Sequence, residues 1–120
     1  MNKNIKVIDY SLENIILLNN HQNLIYFPYQ CENDKLIPLI SIPKLYDIVF
    51  IGLISSRRNY ICEEIQKKGI RVLNMNSYDK WGDVRDKEIS QAKILLNIHF
   101  AENYMVYEAL RCDRWILAGH

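Results

Sequence analysis

Apolar positions along this 120-residue chain fall alternately into short continuous runs and helical spacings. Residues 5–8 form a short β-like run that ends at Asp9, and Ser11 can cap a helix beginning just beyond it. Leu12, Ile15, Ile16 and Asn19 share one face of a helical period, which predicts a helix from Leu12 to about Asn20. Residues 24–27 read as a strand that Pro28 ends. Neither period fits residues 29–44, where Pro38 and Pro43 interrupt Leu36, Ile37, Leu39, Ile40 and Ile42. That stretch is expected to be an irregular connecting segment.

The second half is more regular. Residues 47–51 are a continuous apolar run after Asp47, closed by Gly52, as expected of a strand buried on both faces of a parallel sheet. Beyond Ser55 and Ser56, the residues Ile61, Cys62 and Ile65 keep helical spacing. Lys67 and Lys68 suit the last turn, and Gly69 suits a left-handed cap. Residues 70–75 predict a strand, 82–92 a weaker helix and 93–98 another buried strand. Asn103 then caps a helix in which Val106, Ala109 and Leu110 share a face, and residues 115–118 predict a final strand. Such alternation implies an α/β fold, a single Rossmann-like doubly wound domain over residues 1–120 with a mainly parallel sheet of about five strands. Ligands bind such sheets beyond the carboxyl ends of the strands. Attention therefore falls on residues 52–58, 76–83 and 97–103.

Composition bounds the function. Hydrophobic residues at 49% and charged residues at 24% are ordinary for a globular chain, and 120 residues suffice for one cored domain. The longest apolar run, residues 48–54, is far short of the roughly 20 that a membrane span needs. Residues 1–4 lead into a strand-like segment without an apolar signal core, so a cytoplasmic protein is expected. Fifteen basic and fourteen acidic side chains give a net charge of +1. No basic half is available to neutralise a nucleic-acid backbone. Cys31, Cys62 and Cys112 are too far apart for Cys-x-x-Cys chemistry and are expected to be reduced and mostly buried.

Candidate chemistry begins at Gly52-Leu-Ile-Ser-Ser-Arg-Arg58. A glycine after a buried strand admits a ligand to the backbone, and the following helix N-terminus with Ser55, Ser56, Arg57 and Arg58 suits phosphate oxygens. The segment matches neither the P-loop nor the Gly-x-Gly-x-x-Gly fingerprint, and a capped helix with two solvated arginines is the alternative. His99 closes a buried strand, where it either serves in ligand contact and proton transfer or is hydrogen-bonded structurally. With Glu102 it lacks a third metal ligand at suitable spacing. Asp83 and Asp86 are accounted for by the helix dipole. Trp81 and Gly82 either pack and turn or face a ligand.

The last third carries a recognisable pattern. Tyr107-Glu108-Ala109-Leu110-Arg111-Cys112 resembles the Glu-Ala-Leu-x-x-Gly segment of GT-B glycosyltransferases. Residues 47–58 are similar to the opening strand and phosphate loop of the donor-binding half of those enzymes, and residues 93–100 to the strand before the glutamate helix. Residues 10–15 and 25–29 resemble the segment entering the second domain. The whole is most similar to the spore-maturation (CgeB-like) glycosyltransferase-like proteins. The resemblance implies a donor-binding domain for a nucleotide sugar or nucleoside diphosphate. It puts Gly52, Ser55, Arg57 and Arg58 at the diphosphate, Glu108 at the ribose and His99 near the sugar, and requires no cofactor and no metal. A second acidic residue, eight positions before the glutamate in many members, is replaced by Phe100, and Asp113 stands where glycine is frequent. The length matches only the donor half, so catalysis would need an acceptor-binding domain or a second chain. The alternative is a noncatalytic Rossmann-like module that binds a nucleotide or a protein.

Overall fold

The computed structural model describes residues 6–18, 23–28, 39, 41–76, 80–104 and 106–119. Most of the connecting segment 29–44, together with Cys31, lies outside the described residues, as do Ile5 and the expected end of the first helix at residues 19 and 20. The elements in order are β1 (Val7–Asp9), α1 (Leu12–Leu17), β2 (Leu24–Tyr26), β3 (Tyr46–Gly52), α2 (Ser56–Gln66), β4 (Val72–Asn76), α3 (Gly82–Ser90), β5 (Ala92–Leu96) and α4 (Ala109–Ala118). No described helix is long and apolar enough to cross a membrane.

Among the described residues all strand pairings are parallel, but the strands divide into two sheets. β1 pairs with β2, while β4, β3 and β5 form a separate sheet in that order. The expected single sheet of about five strands is therefore corrected to two plus three. The strand expected over residues 115–118 is also corrected, because these residues are helical. Cys112, Trp115 and Ala118 are buried at a spacing of three, whereas Ile116 and Leu117 between them are exposed. A strand would have buried alternate residues. The helix expected from Asn103 also begins later, at Ala109.

Around β3 the packing follows the two-residue period of a strand. Val49 and Ile51 point to one face, where they pack with Met75, Ile89 of α3, and Trp115 and Ala118 of α4. Phe50 points to the other, with Cys62 of α2, Val72 and Ile98. Helices therefore cover both faces of the central strand. Cys62 and Cys112 are free and buried, and burial pushes both thiols up from their ordinary pKa.

Capping follows the local chemistry. Ser11 accepts from the Asn14 backbone N–H at 3.3 Å, and Ser55 from that of Arg58 at 3.2 Å, each satisfying an otherwise orphaned donor of a first turn. Gly69 has φ +81°, the left-handed cap expected after α2. At the amino end of the larger sheet, Asp47 accepts from the Arg71 backbone at 3.1 Å, its Nε at 3.2 Å and Lys93 Nζ at 2.6 Å. One carboxylate thus ties β3 to β5 and to the residue preceding β4. The same hydrogen bonds hold its pKa well below the usual carboxylate range. The N-terminal unit is thinner: α1 buries none of its side chains, and Leu12, Ile16 and Leu17 are exposed.

Candidate functional site

Strand order reverses at β3, because β4 lies on one side of it and β5 on the other. Loops leaving the carboxyl ends of β3 and β5 consequently diverge, which is where α/β sheets open a crevice. A cleft of about 490 Å³ lies there, with walls contributed after β3 (Gly52, Leu53), after β4 (Trp81) and after β5 (Phe100). Its volume falls in the range of small-molecule sites, roughly 300–1,000 Å³.

Arg58 forms the inner corner. Its side chain is 3% exposed, and three donors are spent: Nε on the Ile98 carbonyl at 2.9 Å, Nη1 on the Leu53 carbonyl at 2.9 Å, and Nη2 on Glu108 Oε1 at 2.9 Å. The guanidinium sits 5.2 Å from the Phe50 ring centroid and 5.4 Å from that of Phe100, within cation–π range of both. These contacts fix the loop after β3 to the loop after β5. Burial, and next the Arg57 charge, lower the Arg58 pKa.

Glu108 is the N-cap residue of α4, and its second oxygen pairs with Arg111. Arg111 also lies over the Phe50 ring, 5.6 Å from its centroid, and its buried Nη1 has no hydrogen-bond acceptor. Burial, followed by the neighbouring Arg58 charge, pushes the Arg111 pKa down to about 10, so the group is still a cation at neutral pH. Basic residues in the first turns of α2 and α4 oppose the helix dipoles, at about 0.3–1 kcal/mol each. Glu108 offsets that repulsion.

Gly52 explains how two guanidiniums fit. A Cβ there would meet Phe50 Cζ at 2.8 Å and Nη1 of both Arg111 and Arg58 at 3.3 Å. The missing side chain leaves room for the chain's own arginines at the cleft wall. A second ionic cluster lies nearby. Asp86, buried on α3, accepts from Arg85 at 3.2 Å and from Arg114 of α4 at 2.9 Å, and both arginines line the cleft.

Of the six residues expected at a donor site, Gly52, Arg58 and Glu108 line this cleft and Ser55, Arg57 and His99 do not. Ser55 caps α2, and Arg57 Nη1 reaches the His99 carbonyl at 3.1 Å. Sequence reasoning passed over Arg85, Arg111 and Arg114. An acidic–basic spacing of three (Glu108 to Arg111, then Arg114) was the available signal. The aromatics Trp81 and Tyr104 stand exposed on the cleft wall. Chemically, fixed cations beside aromatic faces suit an anion joined to a flat or apolar group.

Among known proteins, the chain is similar to three uncharacterized proteins of Acanthamoeba polyphaga mimivirus. Identities are 44% over 122 residues, 40% over 120 and 41% over 123, taking in 98%, 97% and 98% of this chain. The same alignments take in only 16%, 39% and 14% of the relatives, so the chain spans less than half the length of each. No protein-family model and no solved structure matches the chain.

Proposed function

We propose that the chain is a nucleotide-sugar donor-binding module of the GT-B glycosyltransferase kind, with β3 to β5 as part of a Rossmann-like sheet. The observation that carries the reading is Glu108: the residue singled out by the sequence resemblance lines the cleft at the carboxyl ends of the strands, fixed by Arg58. In this reading the carboxylate's remaining lone pairs accept from ribose hydroxyls, and the neighbouring arginines take the diphosphate. The carboxylate is held between two cations, a poor setting for a base, so the cleft binds and orients. Transfer would require an acceptor-binding domain, from the remainder of a longer chain or from a second chain, to exclude water.

A second reading, a noncatalytic interaction module, is favoured by the exposed Leu12, Ile16 and Leu17 of α1. Thermal unfolding with nucleoside diphosphates and nucleotide sugars separates the two. A ligand at 100 times its Kd adds about 2.7 kcal/mol, or roughly 10 °C for 120 residues. Stabilisation by a nucleotide sugar supports the donor reading. A flat response across the panel sinks it in favour of the interaction module.

A further inference from the structure

The smaller sheet has a carboxyl end of its own. β1 and β2 run parallel, so both stop on one side, which is where such sheets admit ligands. A second cavity, of about 270 Å³, opens there between the N-terminal unit and α4. Three tyrosines line it: Tyr10 just after β1, Tyr26 at the end of β2 and Tyr107 shortly before α4. Two carboxylates join them, Glu13 of α1 and Asp113 of α4. Tyr10 lines the arginine cleft as well, so a basic cavity and an acidic one share this residue. Asp47, Asp86, Glu88 and Glu108 each pair with a lysine or an arginine. Among the described residues no basic side chain pairs with Glu13 or Asp113.

This chemistry points to an organic cation. Hydrogen bonding to its own backbone amide, then to the Ser11 hydroxyl at 2.9 Å, holds the Glu13 pKa below its ordinary value, so it is ionised at neutral pH. Burial, and next hydrogen bonding to Asp113, raises the Tyr107 pKa, so that phenol is neutral. Neutral aromatic rings attract ammonium groups through their negative faces, and the carboxylates supply the counter-charge. A metal ion fits less well. Hard cations take six or more oxygen ligands, as a rule, and among the described residues no three carboxylate, thiol or imidazole groups are placed to hold one. Rings outnumber carboxylates here, and Glu13 already accepts from Ser11, which favours a nitrogen that needs no acceptor. We infer that this cavity binds a quaternary alkylammonium group, with the three tyrosines against its methyl groups and Glu13 and Asp113 opposing its charge. The site goes beyond the donor reading and does not rest on it.

Titration of the isotope-labelled intact chain at constant ionic strength, followed by nuclear magnetic resonance, tests this. The probes are choline, blocked trimethyllysine, blocked lysine and the neutral analogue of choline that carries a tert-butyl group in place of trimethylammonium. Choline or blocked trimethyllysine should give saturable shifts at Tyr10, Tyr26 and Tyr107, and the neutral analogue none. The tighter of the two cations tells whether a free ligand or a modified side chain is the source. Tyr26→Ala weakens binding about threefold, whereas Tyr26→Phe, which keeps the ring, stays within about twofold. Glu13→Gln combined with Asp113→Asn weakens it about tenfold, and Glu63→Gln, an exposed acid of α2 outside the cavity, by less than about twofold. Tyr26 and Glu13 are exposed, so their variants should fold as the parent does. A neutral analogue that binds as tightly as choline, a double variant that binds like the parent, or no saturable response to any probe overturns the site. Blocked lysine that binds at least as tightly as its trimethylated form overturns the quaternary assignment. None of the substituted residues lines the arginine cleft, so the donor reading stands or falls separately.

Discussion

Glu108→Ala removes the only carboxylate shared by Arg58 and Arg111 among the described residues, and its cost follows from their burial. Arg58 would keep its bonds to the Ile98 and Leu53 carbonyls but lose its counter-charge, and Arg111 would lose its ion-pair partner. Deleting one member of a buried pair costs about 3–5 kcal/mol. Glu108 is 27% exposed and Arg111 18%, so water reaches the vacated space and the low end, about 3 kcal/mol, applies. At an unfolding entropy of about 2.1 cal/mol/K per residue, the whole chain changes by about 0.25 kcal/mol/K, and the Tm falls by about 12 °C. Glu108→Gln retains an acceptor oxygen and loses roughly half as much. In an Arg111→Met background the Glu108→Ala loss shrinks, since one of the two stranded cations is gone. Thermal and urea unfolding monitored by circular dichroism measure all three. A Glu108→Ala chain melting within about 4 °C of the parent, equivalent to about 1 kcal/mol, refutes the argument that this carboxylate holds the arginines.

The same sheet yields two further predictions. Gly52→Ala presses a methyl group against the fully buried Phe50 ring and costs about 1–3 kcal/mol, read as a lowered urea midpoint; an unchanged midpoint would mean that the loop after β3 yields freely. Asp47 has a folded pKa depressed by Arg71 and Lys93, so its stabilisation is complete above the unfolded value of about 3.9 and is lost as pH falls through the folded one. Asp47→Asn should be less stable at neutral pH and less sensitive to acid below about pH 4, whereas parallel pH profiles for parent and variant would contradict the clamp.

The central strand was legible because a run such as residues 47–51 has few alternatives, and with it came Gly52 and the helix carrying Arg58. The carboxyl-terminal helix was not. Trp115-Ile-Leu-Ala118 is apolar at every position, so it satisfies a strand and a helix alike, and only burial of Cys112, Trp115 and Ala118 distinguishes them. Misreading that helix concealed the shared face of Arg111 and Arg114. Asp86 was hidden differently: an acid near a helix start has a sufficient local explanation, while its bond to Arg114 spans 28 residues that no local pattern connects. Arg57 and Arg58 look alike in sequence, but adjacent helix positions point apart, and the fold buries Arg58 while sending Arg57 to the His99 carbonyl.

Phe50 belongs at once to the interior and to the cleft, since its buried ring carries both Arg58 and Arg111. Change at the inner wall is therefore tied to folding: a substitution that altered the cations would be filtered out as an unstable protein before its ligand preference mattered. The outer wall has no such tie, because Trp81 and Tyr104 are exposed and can vary without disturbing the sheet. Divergence among descendants of this chain should accordingly run outward from Phe50, with the charge pattern inherited and the group attached to the anion free to change.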